Sequence, residues 1–326
     1  MTTNKLMSRR FRRSSTLAAA VVLACIAATF ILLRNHSAQV APTVTKPTKT
    51  WHYAPNTGGR IGPAAADGFT LFDIAGSTRA PQRVNAIVNR LPRGAKALVW
   101  VGNLGNTPAG SSCPPPGFSM QQFTAQVDAI ASNSKVFGYY LSDEPHPSLC
   151  PTAVSEIAAR ADYIHSHTSQ VAFIVALDSS NVCGEHPGCE YRALAPSHTH
   201  VDLIGLDPYP CHLDAGGAPA PCDVGEIASK VNTAIRSGIP RRAIVPTFQT
   251  FGQEGRTDGK APYYRLPTAG ELTTMLHAWS LVVPAPAMDY SYTFGVQCTR
   301  TNCPAPQAIE NQPALAPVIK RHNDQR

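Results

Sequence analysis

The pattern that most limits the fold of this chain is an alternation of short apolar segments with longer amphipathic ones. The short segments are rich in β-branched and aromatic residues and are mostly apolar on both faces, as expected for strands that are covered on both sides. These strand candidates lie at Phe69–Ile74, Ala97–Val101, Val136–Leu141, Val171–Leu177, Val201–Leu206, Ala243–Phe248 and Met288–Phe294.

Helical patterns lie between these strands. The clearest cover Ser119–Ala131, Pro151–His165, Val224–Ile239 and Pro267–Leu281. Alternation of this kind over ~250 residues predicts an α/β fold with a parallel sheet closed as a (β/α)8 TIM barrel. Seven strands are clear, and the eighth either lies within Trp51–Ala65, is poorly patterned or is missing, which would leave the barrel irregular or incomplete at its first strand. A doubly wound open sheet is the alternative.

The N-terminus predicts a membrane segment. Residues 16–33 form an uncharged apolar run preceded by a basic N-terminus, residues 1–15, which we expect in the cytoplasm. No small-x-small site follows Leu33, which favours an uncleaved signal anchor over a cleaved signal peptide. Residues 34–50, rich in Pro, Thr and Lys, predict a linker, and residues 51–326 the folded domain. That domain is therefore expected outside the cytoplasm, either anchored to the membrane or secreted.

The formal charge of +7 does not indicate a nucleic-acid partner, because of where the charges lie. Residues 1–50 carry eight of the 28 basic residues and none of the 21 acidic ones, so the remainder is close to neutral. The sequence contains no Gly-rich phosphate loop and no Gly-x-Ser-x-Gly elbow. We expect a monomer without a cofactor.

Apart from Cys25 in the apolar run, the cysteines are even in number and follow an export segment, which predicts disulfides. Each lies between a strand and the next helix, so the loops at the C-terminal face of the barrel are predicted to be bridged. The expected pairs are Cys113 with Cys150, Cys183 with Cys189, Cys211 with Cys222, and Cys298 with Cys303. No Cys-x-x-Cys pair occurs, and His146, His186 and His212 are scattered, so no metal site is predicted.

The residues that end the predicted strands should line one face of the barrel, where barrel enzymes keep their active sites. They are carboxylates, amides and tyrosines, which suit a ligand with many hydroxyl groups such as a sugar, and would also suit a cationic ligand. These candidate site residues are Asp73, Asn103, Tyr140, Asp143, Glu144, Asp178, Asp207, Tyr209, Gln249, Tyr290 and Tyr292. Asp73 and Asp178 are equally suited to orienting loops.

Four short motifs, GYYLSDEP, VDLIGLDPYP, IVPTFQTFG and YSYTFG, resemble those of glycoside hydrolases built on (β/α)8 barrels. The resemblance is to the large group whose acid/base glutamate follows the fourth strand in an Asn-Glu-Pro or Asp-Glu-Pro tripeptide. It implies that Val136–Leu141 is the fourth strand, that Glu144 is the general acid, and that Asp143 replaces a substrate-binding Asn. A carboxyl beside another carboxylate is also where a raised pKa is expected. The alternative without catalysis is that Asp143 caps a helix and Glu144 faces solvent.

The chain departs from that group at the seventh strand, where Gln249 stands in place of the nucleophilic glutamate. Three possibilities therefore stay open. Glu144 and Asp207 act as acid and base of an inverting reaction, with carboxyls roughly 6.5–9.5 Å apart. Asp143 and Glu144 act as the Asp-Glu pair of hexosaminidases, with a substrate acetamido group as nucleophile. Finally, the domain binds a polysaccharide or oligosaccharide without cleaving it. Glu254 is a weaker candidate for a replacement nucleophile.

Overall fold

The structure is a computed structural model that describes residues 49–102, 118–178, 186–299 and 302–325. Predictions for residues 1–48, and for Asn103, Cys113 and Cys183, lie outside the described residues. No helix within the described ranges is long and apolar enough to cross a bilayer.

Eight parallel strands close into a barrel in which each strand pairs with the next along the chain and β8 pairs with β1. The strands are β1 (Trp51–Ala54), β2 (Leu71–Ala75), β3 (Lys96–Trp100), β4 (Val136–Asp143), β5 (Val171–Ala176), β6 (Leu203–Leu206), β7 (Ile244–Gln249) and β8 (Met288–Tyr292). The predicted barrel is confirmed, the open sheet is excluded, and the first strand, at Trp51–Ala54, completes the barrel.

Helices follow the strands on the outside of the barrel. Within the described residues they are α1 (Ile61–Ala66), α2 (Pro81–Asn89), α3 (Met120–Ile130), α4 (Thr152–His167), α5 (Cys189–Leu194), α6 (Pro196–Thr199), α7 (Gly225–Arg236), α8 (Ala269–Val282) and α9 (Ala316–Asn323). Capping boxes fix the starts of two of them, with Ser119 and Gln122 at α3 and Thr268 and Glu271 at α8. All four predicted helices are present, and each begins and ends within three residues of its predicted bounds.

Two apolar layers hold the barrel together. The larger lies between the strands and the helices and includes Phe72, Phe123 and Trp279. The smaller fills the barrel interior with side chains such as Leu98, Phe173 and Tyr290. The interior is thus packed rather than open, and a ligand can bind only at an end of the barrel.

Disulfides close loops at the C-terminal ends of the strands. Cys211 is bonded to Cys222, and Cys298 to Cys303, which confirms two of the predicted pairs. Cys150 and Cys189 are also disulfide-bonded, while their predicted partners lie outside the described residues.

Candidate active site

Strand β4 brings two adjacent carboxylates to the mouth of the barrel because its alternation is interrupted near its end. Tyr140 pairs with Phe173, but the next paired residue is Ser142, which leaves Leu141 as an extra residue in a β-bulge. The extra residue reverses the alternation of side chains, so Asp143 rather than Ser142 points into the barrel. Asp143 pairs with Val175, whose side chain also points inward. Without the bulge, the buried Ser142 would point into the barrel instead.

The backbone turns directly after Asp143. Glu144 has a φ of 47°, in the left-handed region that few residues other than glycine adopt. Its N–H donates to the Val175 carbonyl at 3.1 Å, which ties this turn to β5. Strained positions of this kind cluster at functional sites. Here the left-handed backbone turns Glu144 to the same side as Asp143 instead of the opposite face of the strand.

Three carboxyl groups meet at this point. The Glu144 side chain shares a hydrogen bond with Asp207, which follows β6. Burial, the charge of Glu144 and this hydrogen bond raise the pKa of Asp207 well above its ordinary range. Burial, followed by the charge of Glu144, raises the pKa of Asp143 to about 7, and the Tyr140 hydroxyl partly offsets this by donating to Asp143 Oδ1 at 2.7 Å. Asp207 therefore favours its protonated form, and Asp143 changes charge near neutral pH.

The two carboxyls that share the hydrogen bond differ in access. Asp207 is only 5% exposed, whereas Glu144 is half-buried. Among the described residues, Asp207 Oδ1 has no hydrogen-bond partner. Glu144 is thus the member of the pair that can reach a ligand.

Direct contact between Glu144 and Asp207 does not match the inverting arrangement considered from the sequence. Inversion needs the two carboxyls roughly 6.5–9.5 Å apart, so that a water molecule fits between the base and the sugar. Two carboxyls in hydrogen-bond contact leave no such space. Asp207 lies in the site, but the separation required of a base is not present.

Aromatic rings form a wall beside the carboxyls. Tyr209 stacks on Tyr292, with ring centroids 5.7 Å apart, and meets the edges of Phe251 at 5.0 Å and Tyr264 at 5.3 Å. Burial, and after it nearby carboxylates, raise the pKa of the Tyr209 and Tyr292 hydroxyls. Tyr209 and Tyr292 thus form an aromatic wall close to the three carboxyls.

A second group of aromatic side chains packs around Tyr140, whose hydroxyl donates to Asp143. The Tyr140 ring packs on those of Trp100 and Phe173, with centroids 4.6 Å and 4.8 Å apart. Its hydroxyl is within hydrogen-bonding range of Tyr290. Tyr290 in turn packs on Tyr53, with centroids 5.0 Å apart. Tyr140 and Tyr290 are almost fully buried, so they form the floor of the site and support Asp143.

Gln249 differs from the expectation that it binds substrate. It is fully buried, and its Nε2 donates to the carbonyls of Cys211 at 3.0 Å and Arg265 at 2.9 Å. Its Oε1 accepts from the Cys211 N–H at 2.8 Å. Because both N–H groups are used, Gln249 has no donor for a ligand. The prediction of a substrate contact is wrong, and the residue instead holds the β6 loop.

Asp73 and Asp178 also hold loops. Asp73 accepts from the backbone N–H groups of Asn56 and Thr57 at 3.1 and 3.2 Å and from the Thr57 hydroxyl at 2.8 Å. Asp178 accepts from the N–H groups of Gly188 at 2.7 Å and Glu190 at 3.3 Å. These contacts support the loop-orienting alternative.

The remaining candidates lie away from the carboxyl cluster or at its edge. Glu254 is exposed and accepts from Gln307 Nε2 at 3.3 Å. His186 is exposed, and His212 Nε2 is 3.6 Å from Glu226. His146 is half-buried with Nδ1 3.9 Å from Glu190, and burial lowers its pKa.

Strand-end reasoning missed Tyr53, Trp100 and Tyr264. Trp100 is the last residue of β3 and faces inward, so the alternation along that strand could have identified it. Tyr53 lies in the four-residue β1, whose sequence WHYA gives little periodicity. Tyr264 lies in a long loop after β7, a position that strand patterns cannot locate.

Comparisons with known proteins agree with this architecture. A chitinase from Chromobacterium violaceum superposes with a TM-score of 0.50 at 12% identity, covering 85% of this chain and 100% of the other. The spore cortex-lytic enzyme SleL of Bacillus cereus superposes with a TM-score of 0.50 at 10% identity, covering 84% and 74%. No protein-family model matches the chain, and no curated protein matches it in sequence. At these identities the likeness concerns the fold, and it confirms the resemblance to barrel glycosidases at that level.

Proposed function

We propose that this protein hydrolyses glycosidic bonds and that Glu144 is the general acid. The observation that carries the proposal is the hydrogen-bonded pair of Glu144 and Asp207, with Asp143 beside it, at the C-terminal mouth of a barrel. Glycosidic cleavage needs a carboxylic acid that is still protonated near neutral pH and can reach the leaving oxygen. Three crowded carboxyls favour such a state, because adjacent like charges cannot all ionise freely.

The shared proton gives each residue a role. Asp207 is buried and is favoured in its protonated form, so it donates its hydrogen bond to Glu144. When Glu144 protonates the leaving oxygen, Asp207 stabilises the carboxylate that remains.

The substrate itself is the best available nucleophile. Gln249 is an amide and is buried, and Glu254 is out in the solvent. We therefore favour an acetamido group at C2 of the sugar. Its carbonyl oxygen attacks C1 while Glu144 protonates the departing oxygen, and a cyclic oxazolinium forms. Water then attacks C1 while the Glu144 carboxylate takes its proton, the bond from C1 to the acetamido oxygen breaks, and the product regains the starting anomeric configuration.

Asp143 assists this step in the proposed mechanism. Its carboxylate lies next to Glu144 and is held by the Tyr140 hydroxyl. Once ionised, it accepts a hydrogen bond from the acetamido N–H and offsets the positive charge of the oxazolinium. The pKa of about 7 implies that this ionised form is present from neutral pH upward.

The walls and setting of the site support a glycan as the ligand. Trp100 and Tyr292 are half-buried at the mouth, where aromatic faces can stack on the apolar faces of sugar rings. Six disulfide-bonded cysteines among the described residues favour an oxidising, extracytoplasmic compartment. Together these features point to an extracellular or cell-wall glycan that contains 2-acetamido sugars.

Paired oligosaccharides test the mechanism directly. Oligomers of N-acetylglucosamine and their deacetylated counterparts differ only at C2. We expect reducing ends to appear from the acetylated series alone, and NMR of the first-formed product to show retention of configuration. Equal cleavage of both series, or inversion, would rule out the acetamido mechanism.

A second candidate is glycan binding without cleavage, which is favoured by the absence of a carboxylate at Gln249. It predicts saturable binding of the same oligomers and no release of reducing ends. Isothermal titration and product analysis on one protein sample separate the two functions.

A further inference from the structure

At the end of the barrel opposite the carboxyls, three potential metal ligands meet between the strands and the C-terminal helix. His52 in β1 and Asp289 in β8 are direct partners across the two strands. His52 Nδ1 lies 3.0 Å from both carboxylate oxygens of Asp289. His322, from the C-terminal helix α9, approaches the same carboxylate with its Nε2 2.9 Å from Oδ2.

We propose that His52, Asp289 and His322 form a binding site for a divalent transition-metal ion such as Zn²⁺. The three donor atoms lie within 4.8 Å of one another. Two imidazoles and a carboxylate are ligands that Zn²⁺ accepts at about 2.0–2.2 Å, with one position left for water. A tetrahedral ion at these distances holds its donors about 3.4 Å apart, so each histidine nitrogen would move about 0.5 Å away from the Asp289 oxygens to admit it.

The charge of the cluster also favours a cation. Asp289 is a carboxylate that is only 2% exposed. Among the described residues its ion pairs are with His52 and His322 and with no Lys or Arg. A carboxylate buried to this degree is costly unless it is paired or coordinates a metal ion. A divalent ion would compensate for that charge.

The site is built on elements that limit its movement. Two ligands are fixed by the pairing of β1 with β8, and the edge of Phe248 meets the His322 ring, with centroids 5.1 Å apart. His322 keeps a quarter of its side chain exposed, and His52 lines a cavity of about 610 Å³. The exposed edge of His322 leaves one ligand open to solvent, and the other two are held by strand pairing.

The location assigns this metal to stability rather than catalysis. His52 and Asp289 are the second residues of their strands, so they lie at the N-terminal end of the barrel, away from Glu144. A bound ion would fasten α9 to β1 and β8. The sequence alone gave no sign of this, since the ligands are separated by 237 and 33 residues and form no local spacing motif.

The test uses the full chain, without a histidine tag, stripped with EDTA and then titrated with Zn²⁺. We expect one Zn²⁺ per chain by elemental analysis and calorimetry, and a higher unfolding temperature when Zn²⁺ is present. His322→Gln should bind at least about a hundredfold more weakly, because even residues that only support metal ligands are worth ten- to hundredfold in affinity.

The matched control is His165→Gln, which removes a histidine from an exposed His–Asp pair. His165 Nε2 is 2.8 Å from Asp202, but no second histidine joins them among the described residues. This variant should bind Zn²⁺ as the unmodified chain does. Absence of Zn²⁺ binding by the unmodified chain would overturn the proposal whatever the variants do. Equal binding by the His322→Gln and His165→Gln chains would overturn it too.

Discussion

Gln249→Glu is the substitution that the usual glycosidase pattern would suggest as restoring a nucleophile. The structure predicts that it destabilises the fold instead. The Gln249 amide donates to the buried carbonyls of Cys211 and Arg265. An ionised glutamate would point negative oxygens at both carbonyls, whereas a protonated one could donate to only one of them.

The loss in the free energy of unfolding can be calculated for the case in which the new carboxyl stays protonated. Keeping a carboxyl neutral at pH 7, against an ordinary pKa near 4.3, costs about 1.4 kcal/mol per pH unit, or roughly 4 kcal/mol. One buried carbonyl left without its donor adds about 1–3 kcal/mol. The expected loss is therefore about 5–7 kcal/mol in the free energy of unfolding. With a urea slope of about 3 kcal/mol per molar, the midpoint should fall by more than 1 M.

Gln253→Glu is a matched control from the loop that follows Gln249. Gln253 uses its Oε1 to accept from the N–H groups of Tyr263 at 2.9 Å and Tyr264 at 3.1 Å. A carboxylate preserves both contacts, so this variant should unfold near the midpoint of the unmodified chain. Equal midpoints for Gln249→Glu and the unmodified chain would refute the structural role given to Gln249, as would a trapped glycosyl-enzyme in that variant.

Three further predictions concern the carboxyl cluster and the loop beside it. Tyr140→Phe removes a hydrogen bond that favours ionised Asp143, so the rising limb of the pH–activity profile should move up by about one unit; an unchanged profile would contradict this. Asp143→Asn should stabilise the fold at pH 8 but not at pH 4, because a carboxyl whose pKa is raised from 3.8 to about 7 contributes stability below 3.8 that is lost as pH rises through 7. Urea midpoints at both pH values check the sign, and an equal gain at both would contradict it. Replacing Cys211 and Cys222 with Ser should cost about 2–3 kcal/mol, because their bridge closes an 11-residue segment; an unchanged midpoint under oxidising conditions would contradict that value.

Most of the fold was predictable because barrel strands are covered on both sides. Seven of them appear in the sequence as short apolar runs, and helix starts such as Ser119 and Thr268 carry their own capping signals. The exception was β1, where four residues that include a histidine are too few to show a period. Its position depends on pairing with β2 and β8, which are distant in sequence.

The candidate site was predictable in part. The positions of Asp143, Glu144 and Asp207 follow from the rule that strand ends share one face, but the contact between Glu144 and Asp207 does not. That contact depends on the bulge in β4 and on the left-handed backbone of Glu144. The role of Gln249 was missed for a similar reason, since a strand-end position does not reveal whether a loop covers the side chain.

The most direct test of the proposed function is the hydrolysis rate of Glu144→Gln on N-acetylglucosamine oligomers, with Glu254→Gln as the control. Glutamine keeps the size of Glu144 but cannot deliver a proton, and a positioned general acid contributes about 10²–10⁴-fold to rate. We predict that kcat falls by at least about a hundredfold in Glu144→Gln, with glycan affinity and unfolding midpoint retained, while Glu254→Gln keeps the unmodified rate. An unmodified rate in Glu144→Gln would contradict its assignment as the general acid.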